Sequence, residues 1–340
     1  MSKQEKIRIC VGNSGHGIQK DATIIMSTLR EVGIASEIIY TKVSNFQNKL
    51  PWRLRKAYFF LVYIFFKLST VFFFKKYDVM VHIQRIDPGL SARSRKNILI
   101  PNQEWFLESA IPLVNLVDTV LVKTFYAETI FKKINSDTRF LGFTSSDTKL
   151  DYPPSEAHLK KSYLHRAGNS AHRGTKTLIN LWSKHPEWPT LTILIGKHRL
   201  PDTVIPTNVQ VITDFLSDEE FERVMRENPF HIHPTMTEGY GLTMSEGIAM
   251  GCIPIVTNAP PMNELADREF SFLVNAQAKG CKGLSALFEI DKASLESVIQ
   301  ETIEMSFDEQ RVMAMKGQRW HQTNYEMFKR NLKRFFAEKE

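Results

Sequence analysis

Short apolar runs alternate with stretches whose apolar residues recur every three or four positions, and the alternation occurs twice along the 340 residues. Residues 7–12 (IRICVG) read as a strand, and 18–33 carry helical spacing that ends on Gly33, a natural helix stop. A second strand falls at 35–41. Runs at 77–83, 97–101 and 119–123 are β-branched with polar edges, the mark of strands buried in a parallel sheet. A new set begins at 162–168, with strands at 191–196, 209–213, 230–235 and 253–258. Helices are predicted at 175–186, at 217–228 behind a Ser217 cap, and from Thr243 to Met250. Residues 135–155 are polar and turn-rich and run into Pro153-Pro154, which marks the approach to a linker. The chain is therefore expected to be α/β, with two Rossmann-like domains whose parallel sheets face a cleft. The expected division is 1–155 and 156–319, with a basic, aromatic helix at 320–340 packing back on the first domain.

One segment breaks the pattern. Within residues 52–76, positions 57–74 are almost all apolar, with Lys67 inside and basic pairs at the flanks. Three readings stay open. A membrane span needs about 20 apolar residues, and a central lysine opposes it by roughly 2.5–3.5 kcal/mol. A helix packed on the sheet would bury its apolar surplus in the domain. A helix lying on an anionic leaflet would place seven phenylalanines in the interface and Arg53, Arg55, Lys56, Lys75 and Lys76 at headgroups.

Composition narrows the class little. Apolar content of 43% and charged content of 24% are globular values. A net charge of +7 suits an anionic small molecule, an anionic surface or nucleic acid, and nothing else points to nucleic acid. The three cysteines, Cys10, Cys252 and Cys281, suggest neither a disulfide framework nor a zinc site and fit a reducing compartment. The first ten residues lack a signal-peptide core, so a cytoplasmic protein is expected, peripheral on a membrane if the apolar helix lies on one.

Candidate chemistry clusters in two places. The first strand runs into Gly12, Gly15 and Gly17, a loop that follows neither the Walker pattern nor G-x-G-x-x-G. The second place is residues 233–265, HPTMTEGYGLTMSEGIAMGCIPIVTNAPPMNEL, where seven residues separate Glu238 from Glu246. Between the two glutamates, Gly239-Tyr240-Gly241-Leu242-Thr243 forms a turn before a helix. Its backbone N–H groups and the helix end suit an anion. The two carboxylates suit sugar or ribose hydroxyls. This describes a nucleotide-sugar site.

The E-x7-E pattern with its internal G-x-G, followed by AMGCIPIVTN and Glu264, resembles the retaining glycosyltransferases of family four, which have the GT-B fold. The resemblance implies a first domain on the acceptor side and a second on the donor side. It implies that Glu238 contacts the donor sugar, Glu246 the ribose, and Gly241, Leu242 and Thr243 the diphosphate. The family carries a basic pair after the first strand of its second domain; the stretch here is Gly168-Asn-Ser-Ala-His-Arg173-Gly174. Arg173 takes the second basic position, where its fork would hold two phosphate oxygens. Asn169 stands at the first, so Lys176 or His172 would supply part of the charge. Thr213 to Phe215 resemble the turn that reads the base.

No D-x-D motif appears, so the resemblance implies a transferase that needs no metal or other cofactor, with leaving-group charge met by Arg173, backbone N–H groups and the helix end. The acceptor hydroxyl would attack from the leaving-group face and lose its proton to a phosphate oxygen. His231 and His233 read as a packed strand pair rather than metal ligands. The family's first-domain histidine has no clean counterpart. Glu104 either replaces it on a sugar hydroxyl or only orients Trp105. The family's G-G-I turn maps onto His16-Gly17-Ile18, so the resemblance implies a loop facing the cleft, with Gly17 approaching the donor diphosphate and His16 meeting phosphate or acceptor. Three functions stand open: a transferase acting on a lipid-linked or membrane glycan, a non-catalytic nucleotide-sugar or glycan binding module, and a sugar-nucleotide epimerase. The E-x7-E pattern favours transfer.

Overall fold

The computed structural model describes residues 6–13, 15–42, 49–69, 74–146, 161–168 and 170–337. The chain divides into two compact units. One is Met1–Thr144 with Lys282–Ser285 and Glu326–Glu340; the other is Ser145–Cys281 with Ala286–Tyr325.

In the first unit the elements run β1 (Ile7–Gly12), α1 (His16–Glu31), β2 (Ser36–Thr41), α2 (Trp52–Ser69), β3 (Tyr77–Ile83), α3 (Pro88–Ala92), β4 (Ser94–Ile100), β5 (Thr119–Val122), α4 (Phe125–Phe131) and β6 (Thr138–Phe140). They build a six-stranded sheet in the order β2-β1-β3-β4-β5-β6, with every neighbouring pair parallel. The apolar runs are the central strands: every residue of β5 is buried, and Ile9, Met80 and Leu99 are fully enclosed. A strand covered on both faces has no polar side to show, which is why these runs do not alternate.

The second unit repeats the plan with β7 (Tyr163–Gly168), α5 (Thr175–Trp182), β8 (Leu191–Ile195), β9 (Val209–Ile212), α6 (Asp218–Glu227), β10 (Phe230–His233), α7 (Leu242–Ala249), β11 (Ile253–Thr257) and β12 (Phe272–Val274). Its sheet order is β12-β11-β10-β7-β8-β9, again parallel throughout. Tyr163, Trp182, Trp188 and Phe230 form its core, with the Tyr163 hydroxyl 2.7 Å from Thr302 Oγ1. Ser217 caps α6 in a reciprocal box with Glu220. A two-stranded ribbon follows, β13 (Ala276–Lys282) and β14 (Ser285–Ile290), then α8 (Lys292–Glu304) and α9 (Phe307–Ala337).

Several details depart from the sequence reading. Part of the presumed linker is β6, an edge strand of three residues, while 147–160 lie outside the described residues. The last helix begins at Phe307 and runs 31 residues, well before Trp320. Its final turns belong to the first unit, where Phe328 meets Phe143 edge-on at 5.3 Å and Asn331 donates to Leu141 O at 2.9 Å.

The apolar helix α2 packs by one side only. Phe59 is buried, and Tyr58, Val62 and Tyr63 lean on a cluster that includes Phe106, Leu113 and Phe131. The apolar surplus is not taken into the domain: Leu61 is 65% exposed, Phe65 62% and Leu68 71%. Residues four and three apart share a helix face, so these three form one apolar row. Among the described residues no helix is long and apolar enough to cross a membrane.

Candidate active site

In an open parallel sheet, ligands collect at the carboxyl ends of the strands, where the strand order reverses. In the second unit that point lies between β7 and β10, since the chain proceeds outward from each in opposite directions. The loops leaving these two strands carry the residues singled out in the sequence.

The loops are tied together before any ligand is considered. Met236 N donates to His172 O at 2.9 Å, and Thr235 Oγ1 donates to the same oxygen at 3.3 Å. Thr257 Oγ1 anchors Thr235 O at 2.8 Å from β11. Below them His165 spans both strands, with Nδ1 2.9 Å from Ile232 O and Nε2 3.0 Å from Thr175 Oγ1. Burial pushes its pKa down to about 4, which keeps the ring neutral. Gly174 has φ 73°, and a Cβ there would sit 2.5 Å from Pro234 O. Glycine is thus required both by conformation and by the approach of the two loops.

On this frame the structure brings Arg173 and Glu238 together as an ion pair, with Glu238 only 8% exposed. A second pair lies beside it. Arg166 Nη1 donates to Glu246 Oε2 at 2.7 Å and to Thr243 O at 3.3 Å, with its guanidinium 4.8 Å from the Phe221 ring centre. Glu246 is thereby fixed on the first turns of α7. Gly241 opens that helix at φ 113°, and among the described residues no side chain caps it. Its positive end is left for an anion. Gly239 and Tyr240 are buried, and Asn324 Nδ2 donates to the Tyr240 hydroxyl at 3.2 Å. α7 rests on β10 through Gly247, where a Cβ would meet His231 Nδ1 at 2.6 Å.

The remaining residues singled out in the second unit scatter along the same sheet end. Lys176 is exposed in the first turn of α5. Thr213 and Phe215 follow β9, two strands from β7, and Phe215 is 99% exposed. Two strand spacings are about 10 Å. That is the reach of a nucleoside. Asn169 lies outside the described residues.

His231 and His233 are buried on β10, and burial lowers both pKa values, that of His231 to about 3. Among the described residues no group of three or more His, Cys, Asp or Glu side chains is placed to hold a metal ion.

The first unit has its own reversal point, between β1 and β3. Gly17 is exposed in the opening turn of α1, which begins at His16 and follows Gly15 at φ 93°. Glu104 lies in a short 3-10 turn, Gln103–Trp105, and is 7% exposed. Its Oε2 has no hydrogen-bond partner among the described residues. Burial raises its pKa to about 7, against the pull of Lys123 and Lys282. Lys123 itself bridges Asp21 at 2.5 Å and Asn102 Oδ1 at 2.9 Å. His82 is fully enclosed, 3.3 Å from Asn97 Oδ1, and is part of the core of this unit.

Arg166, His165 and Gly247 escaped the sequence reading, and Gly174 entered it only as the end of the Arg173 stretch. Arg166 had a signal: it is a charge inside the strand YLHRAG, and a cation at the end of a buried strand needs a partner. The partner, Glu246, lies 80 positions away.

The whole chain has relatives in shape. It matches sucrose-phosphate synthase from Thermosynechococcus elongatus over 98% of both chains, at TM-score 0.68 and 13% identity. HepE from Anabaena, solved with UDP and glucose, matches over 99% of this chain and 100% of its own, at 0.65 and 13%. The lipopolysaccharide outer core galactosyltransferase WaaB matches over 98% and 99%, at 0.62 and 15%. The fold is GT-B. At these identities the likeness speaks for the GT-B architecture alone. No protein-family model and no curated protein matches the sequence.

Proposed function

We propose that this protein is a retaining glycosyltransferase of the family-four type, moving a sugar from a nucleotide-sugar donor to a hydroxyl acceptor. The observation that carries the reading is the meeting of Arg173 with Glu238 beside the uncapped start of α7, at the strand reversal of the second unit. Donor diphosphate would take the Arg173 fork and the N–H groups of Gly241, Leu242 and Thr243. Glu238, released from Arg173, would turn to the sugar hydroxyls. Glu246, already oriented by Arg166, would accept from the ribose. Thr213 and Phe215 would hold the base through main-chain atoms. Lys176 would add the charge that Asn169 does not supply. In the first unit, Gly17, His16 (whose side chain lies outside the described residues) and Glu104 are proposed as substrate contacts at that sheet's own strand reversal. Charge developing on the leaving diphosphate would be met by these groups without a metal ion.

The relatives support this donor class by their contents: HepE was solved with UDP and glucose, and starch synthase IV from Arabidopsis thaliana with ADP and acarbose. The acceptor is proposed to be a glycan precursor at a membrane, because α2 displays an apolar row among basic residues. The protein would then work on the cytoplasmic face of an anionic leaflet. The test is a panel of nucleotide-sugars with release of nucleoside diphosphate as readout. One donor should be turned over, with the anomeric configuration retained in the product.

A second reading has an observation of its own. Arg173 and Arg166 are both matched by carboxylates, and Asn169 replaces a cation, which suits a module that binds without catalysis. Nucleotide binding with no turnover of any donor would decide for it.

A further inference from the structure

The first unit contains a cavity of about 300 Å³ at the carboxyl ends of β1, β2 and β3. That volume is at the small end for a ligand site. It is lined by Tyr58, Phe59 and Val62 of α2 together with Ile86, Phe106 and Leu113. Two exposed cations, Lys42 and Arg85, also line it; among the described residues the one lining carboxylate, Asp87, is engaged as the cap of α3, accepting from Leu90 N at 2.9 Å. Gln84, on the same wall, is held at φ 68°. A non-glycine residue in that region is strained, and such strain concentrates at binding sites.

The position of α2 adds direction. The side bearing Tyr58, Phe59 and Val62 closes the cavity, while Leu61, Phe65 and Leu68 form an exposed apolar row on the same helix. A single helix therefore joins an outer apolar surface to an inner apolar chamber. We propose that this cavity takes the aliphatic chain of an anionic amphiphile, with Lys42 and Arg85 meeting its headgroup. Chain length is bounded by the cavity, and the phosphate or carboxylate stays in water beside the two cations. The acceptor of the transfer reaction is then lipid-linked, a step that rests on the transferase reading. The binding site itself does not rest on it.

The probe is dodecyl phosphate carrying a terminal diazirine, used with the full-length protein below its micelle concentration. Saturable one-to-one binding is expected, competed by dodecyl phosphate and not by inorganic phosphate. Photolabel, located to single residues, should fall on Tyr58, Phe59, Val62, Phe106 or Leu113. Val62→Trp, which fills the chamber from a half-buried position, should weaken binding at least tenfold and leave nucleoside diphosphate affinity unchanged. Lys42→Ala with Arg85→Ala should weaken dodecyl phosphate and spare dodecanol. Absence of saturable binding overturns the proposal, as does label confined to Leu61, Phe65 and Leu68, or indifference to Val62→Trp. Donor turnover is read separately. Turnover without chain binding refutes the cavity assignment alone, whereas chain binding without turnover refutes only the transferase.

Discussion

Gly174→Ala adds one methyl group where the second unit has no space for it. The left-handed conformation at φ 73° opposes any Cβ by about 1–2 kcal/mol. The ideal Cβ lies 2.5 Å from Pro234 O and 2.9 Å from Pro234 Cγ, so backbone must move. Overpacking of that kind adds about 1–3 kcal/mol, for a sum of roughly 2–5 kcal/mol. In a unit of this size about 1 kcal/mol corresponds to roughly 2–4 °C, so a fall of roughly 4–20 °C in Tm is expected. Gly168→Ala is the control, because its φ of 56° carries the conformational cost but nothing lies within 4 Å. The push on Pro234 is relayed to Thr235, which holds His172 O, so both site loops shift. Thermal unfolding by circular dichroism reads the first effect, and calorimetric titration with nucleoside diphosphate reads the second. Gly174→Ala should lose more affinity than Gly168→Ala. A Tm within about 2 °C of the control, with equal affinity, refutes the tight coupling of the loops.

Other expectations follow from single groups. Glu104 has its pKa raised to about 7 by burial, so the folded state holds a proton that the unfolded chain releases near 4.5. Stability from this group is therefore present below pH 4.5 and lost as pH rises to about 7, by about 3 kcal/mol. Glu104→Gln should remove that slope from Tm measured between pH 4.5 and 7.5; an unchanged slope contradicts the assignment. Gly17→Ala meets nothing within 4 Å, so the fold should be unharmed. If backbone at Gly17 approaches the donor, donor KM should still rise about tenfold. An unchanged KM removes Gly17 from the site. Flotation with anionic vesicles should fall about 30-fold in partition when Arg53 and Lys56 are replaced by Ala, at about 1 kcal/mol per cation. Binding indifferent to both changes contradicts a leaflet-facing α2.

Legibility in the sequence followed the physics of each element. Central strands such as TVLV are buried on both faces, so their composition alone reveals them. β6 is three residues at an edge, too short to show a period, and passed for linker. β13 is mostly exposed and polar, which leaves no pattern at all. In α2 the apolar character was plain, but which side would be covered depends on Phe106 and Leu113, some 50 residues away. The same holds for the site. Glu238, Gly241 and Glu246 lie within one turn-helix and could be read together. The Arg166–Glu246 pair and the contact of Gly174 with Pro234 join distant segments, and only the folded sheet brings them near.

In the proposed reaction Glu238 acts on the sugar of a nucleotide-sugar bound in the second unit. Steady-state transfer by Glu238→Ala beside the unaltered protein, each with the donor selected from the panel, tests it most directly. Loss of a group that positions the sugar for transfer lowers kcat by about 10²-fold. At least that loss is expected, with cooperative unfolding and nucleoside diphosphate binding retained and Tm lowered, because the Arg173 guanidinium loses its carboxylate. Undiminished kcat in the variant would contradict that role for Glu238.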